Sequence, residues 1–215
     1  MGDALLVEAP DATFVHIRQP TIKDEKTRVC LVYYGDNRKD FLVGIRGARM
    51  VFGPKGDVQV LGANGADLIR ACEFATVDAL HSRIGDLFPV AKHVDKDALL
   101  KLVKWTDASC IMATWDKDCE YMSRDRVAMD REWVLNQSPD TVYNVVLRLK
   151  YLVVERERLS VRYTIRLVRV HKLALDMGMC MVDDDDEVDV DSDDNVDEFD
   201  TDSDSTDIEK AATMF

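Results

Sequence analysis

Between residues 143 and 153 the chain alternates with a period of two: Tyr143, Val145, Leu147, Leu149, Tyr151 and Val153 share one side, and Asn144, Val146, Arg148, Lys150 and Leu152 the other. A helix would scatter these apolar residues around its circumference, whereas a long strand gathers them on one face. After the charged break Glu155-Arg156-Glu157-Arg158, Val161, Tyr163, Ile165 and Leu167 alternate against Arg162, Thr164 and Arg166. The pair predicts a long antiparallel hairpin. Beyond Leu167 the apolar phase moves to Val168 and Val170, as a bulge or a barrel corner requires.

The hairpin needs other strands to cover its apolar face, and the first third of the chain supplies them. Residues 14–18, 28–34, 41–45, 49–52 and 57–61 are short, β-branched or aromatic runs. They are punctuated by turn chemistry at Gly35-Asp36-Asn37 and Gly53-Pro54-Lys55-Gly56. From Gly65 the spacing of Leu68, Ile69, Cys72, Val77, Leu80, Ile84 and Leu87 becomes helical up to Phe88-Pro89, with a break expected near Ala75-Thr76. A short helix within 95–105 and a strand over 110–115 are expected next. The polar run 116–138 reads as an insertion loop. The sum is a mainly β, α+β body: a small barrel with an inserted helix.

Charge divides the chain at residue 183. The whole protein has a formal charge of −13, yet residues 183–215 hold sixteen acids and one lysine, Lys210, for a local charge of −15. Residues 1–182 are left at +2. A segment so acidic and so poor in apolar side chains cannot bury enough surface to fold, so 183–215 is expected to be a disordered tail behind a 1–182 globular domain. With 215 residues and 47% hydrophobic content, the chain has material for one ordinary domain.

Several function classes lack a signature. No Gly-x-x-x-x-Gly-Lys-Ser/Thr loop is present, the four histidines (His16, His81, His93, His171) are scattered, and there is no Gly-x-Ser-x-Gly elbow. Five cysteines without Cys-x-x-Cys spacing (Cys30, Cys72, Cys110, Cys119, Cys180) suit buried thiols better than disulfides or zinc. The acid pairs Asp116/Asp118 and Glu155/Glu157 are expected to be solvated surface, and a metal-dependent enzyme built on 116–131 is the least favoured reading. No metal, cofactor or catalytic residue is assigned. The first residues carry acids and no basic run, and no stretch approaches the roughly 18 apolar residues of a membrane span. A soluble intracellular protein is expected.

What the sequence offers instead is cations interleaved with aromatics. Tyr33, Tyr34, Arg38 and Lys39 cluster at one turn, Arg46 and Arg49 follow, and Arg148, Lys150, Arg162 and Arg166 lie on the hairpin. Such mixtures suit single-stranded nucleic acid, with cations tracking phosphates while ring faces stack bases at about 1–3 kcal/mol each. Tyr151 and Tyr163 fall in phase with the apolar side and are expected in the core, and Trp105 and Trp115 are likewise expected to be core. The acidic run from Asp183, Asp184, Asp185, Asp186 and Glu187 onward, tipped by Phe215, reads as a partner-binding polyanion, and Ser192, Thr201, Ser203, Ser205 and Thr206 within it are candidate phosphorylation sites. The competing reading is an acidic-tailed interaction module, such as a histone-binding chaperone or a viral regulatory or structural protein.

The order of features, a short-stranded β body with an inserted helix, a terminal hairpin, an acidic tail and a final Phe, resembles the phage T-seven-type single-stranded DNA-binding proteins. Relatives of these occur in nucleocytoplasmic large DNA viruses. Residues 28–53, from Arg28-Val29-Cys30-Leu31 to Val51-Phe52-Gly53, look like that family's early strand–turn–strand unit, and Tyr163-Thr164-Ile165-Arg166-Leu167-Val168-Arg169-Val170-His171-Lys172 looks like its closing strand. The resemblance implies an OB-fold of five strands that coats single-stranded DNA in viral replication, recombination and repair. It implies a tail that competes with DNA and recruits replication proteins (polymerase, helicase, primase), leaves room for a homodimer, and places the protein in the host nucleus or a cytoplasmic viral factory. One departure is plain: uncharged Ala211 to Met214 separate Phe215 from the acids.

Overall fold

The computed structural model describes residues 6–54, 56–62, 65–89, 94–107, 109–155 and 158–173. The tail from Asp183 to Phe215, and with it the tail assignments, lies outside the described residues. Among the described residues nine strands and four α-helices follow a short 3-10 turn (Ala12–Phe14), in the order β1 (Val15–Ile17), β2 (Thr21–Ile22), β3 (Arg28–Tyr34), β4 (Lys39–Phe52), β5 (Asp57–Leu61), α1 (Ala66–Ser82), α2 (Ile84–Leu87), α3 (Lys96–Leu102), β6 (Cys110–Met122), β7 (Ala128–Met129), α4 (Arg131–Leu135), β8 (Val142–Glu155) and β9 (Arg158–Lys172). The body is mainly β with a few helices. Among the described residues no helix is long and apolar enough to cross a membrane.

The strand pairings form a circuit. β4 pairs β5, β5 pairs β6, β6 pairs β9, β9 pairs β8, and β8 returns to β4, where Phe41 faces Leu149 and Ile45 faces Val145. Every step is antiparallel except β6 with β9. β3 extends the sheet against the far half of β8, and β1 and β2 pair with β3 outside the circuit. Inside lies one apolar cluster that includes Phe41, Ile45, Ile111, Tyr143, Leu147, Leu149 and Ile165, all 2% exposed or less.

The predicted hairpin is β8 and β9, with corrections in phase. Its bulge falls at Arg166, because Val146 faces Leu167 while Leu147 faces Ile165. A second irregularity lies between Leu149 and Tyr151, where Lys150 is the extra residue. That shift turns Leu152 inward and leaves Tyr151 half-buried on the outer side, so Tyr151 is not the core residue expected, whereas Tyr163 is. The two expected runs 41–45 and 49–52 are one strand, β4, bent where Gly47 takes φ +68° and donates its N–H to Asn144 Oδ1 at 3.2 Å.

The inserted helix does not break at Ala75-Thr76. The Thr76 hydroxyl donates to the Cys72 carbonyl at 2.8 Å, so the residue satisfies itself inside α1, which runs on to Ser82. Ile69, Cys72, Thr76, Val77 and Leu80 form its buried face. The stretch 116–138 is not a loop either. It holds the second half of β6, then β7, then α4, whose N-terminus is capped by Asp130 accepting from the Trp133 N–H at 2.7 Å.

Glu73 ties α1 to β9. Its carboxylate is 1% exposed and accepts from the Thr106 N–H, the Thr106 hydroxyl and, at 3.3 Å, the Tyr163 hydroxyl. Burial pushes its pKa above the ordinary 4.5, and these hydrogen bonds pull back only part of the way. The folded state therefore holds this proton more tightly than the unfolded state, so the contribution is full below pH 4.5 and declines as pH rises through the raised value. Urea unfolding across that window should show wild type losing stability relative to Glu73→Gln as pH rises. Parallel curves would contradict the assignment.

Candidate nucleic-acid interface

Strand register decides which side chains share the outer surface. Val51 faces Gln59 and Gln59 faces Met112, so the three form one row across β4, β5 and β6. Val51 and Met112 are 47% and 45% exposed, apolar side chains with nothing over them among the described residues. Arg49 lies two residues before Val51 on the same face, and is exposed in a loose pair with Asp140 at 3.7 Å. On the far side of β6, Tyr163 faces Ala113, so Arg162 points outward beside Met112 and is exposed; its partner on β8 is Tyr151. The result is an open sheet face with an apolar centre and a guanidinium at each side.

Further along the same outer surface the charges cancel internally. Between Trp115 and Glu120 β6 makes a wide bulge, five residues of advance against two in β9 from Ile165 to Leu167. The bulge lays Asp116 over β8 and β9, where its side chain is 1% exposed. Lys150 reaches it at 3.2 Å, the Thr164 hydroxyl at 3.0 Å and Arg148 at 3.5 Å, while Arg148 also holds Asp40 at 2.8 Å. Burial raises the Asp116 pKa, but the Asp118 N–H, the Thr164 hydroxyl and the Lys150 ammonium outweigh it and hold the carboxyl below its ordinary range. The expectation of a solvated Asp116 is therefore corrected: ion pairing keeps it charged under cover.

The nominated residues thus separate into groups. Arg49 and Arg162 stand on the open face. Arg148 and Lys150, with side chains 16% and 18% exposed, serve Asp116, and Arg166 lies 3.9 Å from Glu120. Arg46 is exposed beside the β4 bend and engaged with neighbouring groups. The Tyr34 ring packs on Phe41 at 4.7 Å and its hydroxyl accepts the Asp11 N–H at 3.0 Å. Tyr33, Arg38 and Lys39 sit apart from the open face, at the β3–β4 turn. Trp115 is half-buried against Phe52 and Tyr121 with Arg131 over its ring at 5.1 Å, and Trp105 is half-buried under Arg70 and Phe74.

Val51, Gln59 and Met112 were absent from the sequence-based candidates. The signal was present, since Val51 has the parity of Arg49 and Met112 that of Thr114, so each is an apolar residue on a polar strand face.

Neither a protein-family model nor a curated protein sequence matches this chain. Among solved structures it is similar to the single-stranded DNA-binding protein from bacteriophage Enc34, at 10% identity and a TM-score of 0.35 over 73% of this chain and 90% of that one. The same phage protein in complex with single-stranded DNA gives 10% identity and a TM-score of 0.38 over 72% and 95%.

Proposed function

We propose that this chain is a non-enzymatic, sequence-tolerant single-stranded DNA-binding protein on an OB-like five-stranded barrel, coating the strand in viral DNA replication, recombination and repair. The barrel reading is supported by the circuit β4–β5–β6–β9–β8–β4 with its one parallel step. The function rests on one observation above the others, the open outer face on which Val51, Gln59 and Met112 lie between Arg49 and Arg162. Guanidiniums at each side hold phosphates of the strand that crosses the face, and the apolar row between them accepts unstacked bases; the Met112 thioether makes a favourable contact with any aromatic ring. No base edge is read, so sequence tolerance follows. In this proposal the acidic tail occupies the same cations in the absence of DNA and, when displaced, is available with Phe215 to replication proteins.

The test is a fluorescence-anisotropy titration of a labelled oligothymidylate at low and moderate salt, using the full chain and a version ending at Val182. Because a tethered polyanion competes at high effective concentration, the shortened protein should bind tighter by on the order of tenfold at low salt. Its binding should weaken as salt rises. Equal binding by both forms would remove the tail from the proposal. No binding by either at low salt would overturn it and favour an acidic-tailed interaction module.

A further inference from the structure

A second cationic feature lies away from the open face, where β1, the β3–β4 turn and the end of α1 meet. Two adjoining hollows of about 410 and 440 Å³ share His16, Arg38 and Arg83. The first adds Arg18 and Tyr33, and the second runs toward Ser82 and Thr13. Among the described residues no carboxylate lines either hollow. Three acids of the adjoining elements have partners of their own: Asp11 accepts from the Thr13 N–H and hydroxyl at 2.8 Å, Asp40 holds Arg148 at 2.8 Å, and Asp78 holds Lys96 at 2.7 Å; Asp36 and Asp86 are exposed and outside the lining. Arg83 is anchored by donating to the Ile17 carbonyl at 2.9 Å, which uses one nitrogen of a five-donor group. Arg38 is held by the turn at φ +49°, a left-handed backbone that non-glycine residues seldom take. The His16 Nε2 is buried and has no hydrogen-bond partner among the described residues. Three guanidiniums and an imidazole converge with no counter-charge in the lining, and a half-buried tyrosine stands beside them.

We infer that this cleft is a binding site for a phosphate monoester carried on a nucleotide. Arg18, Arg38 and Arg83 present planar donor forks that match phosphate oxygens, beside the His16 ring in the lining. The phosphate belongs in the Tyr33 hollow, because the other hollow abuts the carbonyl end of α1, whose partial negative charge repels anions. There the Tyr33 ring supplies an aromatic surface for the base, and about 410 Å³ is the scale of a small-ligand pocket. A phosphate end carries more charge than an internal phosphodiester, so three arginines discriminate in its favour. The site stands independently of strand coating: its residues are not those of the open face, and a mononucleotide can occupy it alone.

Two sources present this chemistry, the 5′-phosphate of a bound strand and a free nucleotide. The test titrates thymidine 5′-monophosphate, thymidine and inorganic phosphate into the full-length protein at low salt, following calorimetry and the NMR signals of the His16 ring. The monophosphate should bind and shift His16, whereas thymidine should do neither. Arg18→Gln, and separately Arg38→Asn, which tolerates the left-handed backbone, should each weaken binding about tenfold. No heat and no His16 shift with either phosphate probe, or unchanged binding in both variants, would overturn the site. A second arm compares 5′-phosphorylated with 5′-hydroxyl oligothymidylate. Tighter binding of the phosphorylated strand, lost in Arg18→Gln, assigns the site to strand ends. Equal binding of the two strands together with monophosphate binding assigns it to free nucleotides. Neither strand binding while the monophosphate still binds would overturn strand coating and leave this site standing.

Discussion

Asp116→Ala is expected to lower the unfolding free energy by about 2–3 kcal/mol, because it strands two cations that are mostly out of water. Lys150 loses the carboxylate it holds at 3.2 Å, the Thr164 hydroxyl loses its acceptor, and Arg148 keeps only Asp40. The residual water access of Lys150 and Arg148, 18% and 16% of their side chains, keeps the effect below that of a fully buried pair. The pH dependence has a definite sign. Asp116 titrates below its ordinary 3.8 in the folded protein, so its contribution is full above pH 3.8 and is lost as pH falls through the lowered value. Urea denaturation of wild type and variant should therefore converge in acid and diverge toward neutrality. The same substitution frees Lys150 of its carboxylate while Arg148 stays on Asp40, so single-stranded DNA binding should strengthen as stability falls. A variant within 0.5 kcal/mol of wild type would show that the carboxylate is not the hub described.

The largest effect on binding is expected from reversing the two charges that flank the open face. Arg49→Glu combined with Arg162→Glu replaces two phosphate contacts by two repulsions, and oligothymidylate affinity should fall by about 100-fold at low salt. The slope of log affinity against log salt should become shallower by about two, one for each contact removed. Both side chains are exposed, and Arg49 has only a loose surface pair with Asp140, so the fold should be unaffected and thermal unfolding nearly unchanged. Met112→Ala provides the complementary measurement. It should weaken binding without altering the salt slope, since it removes apolar contact and no charge. If the double reversal bound DNA as wild type does, the open face would not be the interface.

How far the sequence could be read followed from how local the determinants are. The β8–β9 hairpin was legible because each half is continuous and one face is buried, which imposes strict alternation. Even its Arg166 bulge announced itself, as the shift of apolar phase to Val168 and Val170. The run 116–138 was illegible for the opposite reason. Asp116 is buried by partners 32, 34 and 48 residues away, so a core position there looks like a solvent-exposed acid. The four residues of the bulge then break the alternation of β6 before it resumes at Glu120. The cleft was half-legible: Tyr33 and Arg38 stood out beside a turn, but His16 and Arg83 belong with them only because Arg83 reaches the Ile17 carbonyl across 66 residues of sequence.

The circuit of strands also sets the order in which the molecule can come into being. β4 is made early, yet its ladder to β8 joins residues about 100 positions apart, from Ile45 to Val145, and β6 gains its parallel neighbour only from β9. Closing a loop of that length costs about 4 kcal/mol of chain entropy before any apolar surface is covered. A ribosome that has released residues 1–140 has therefore delivered three strands, β3, β4 and β6, with edges still open, the sites at which nascent chains pair with the wrong neighbour. β8 and β9 supply the partners those edges need, so variants that unsettle β9 are expected to appear in cells as aggregation rather than as weakened binding.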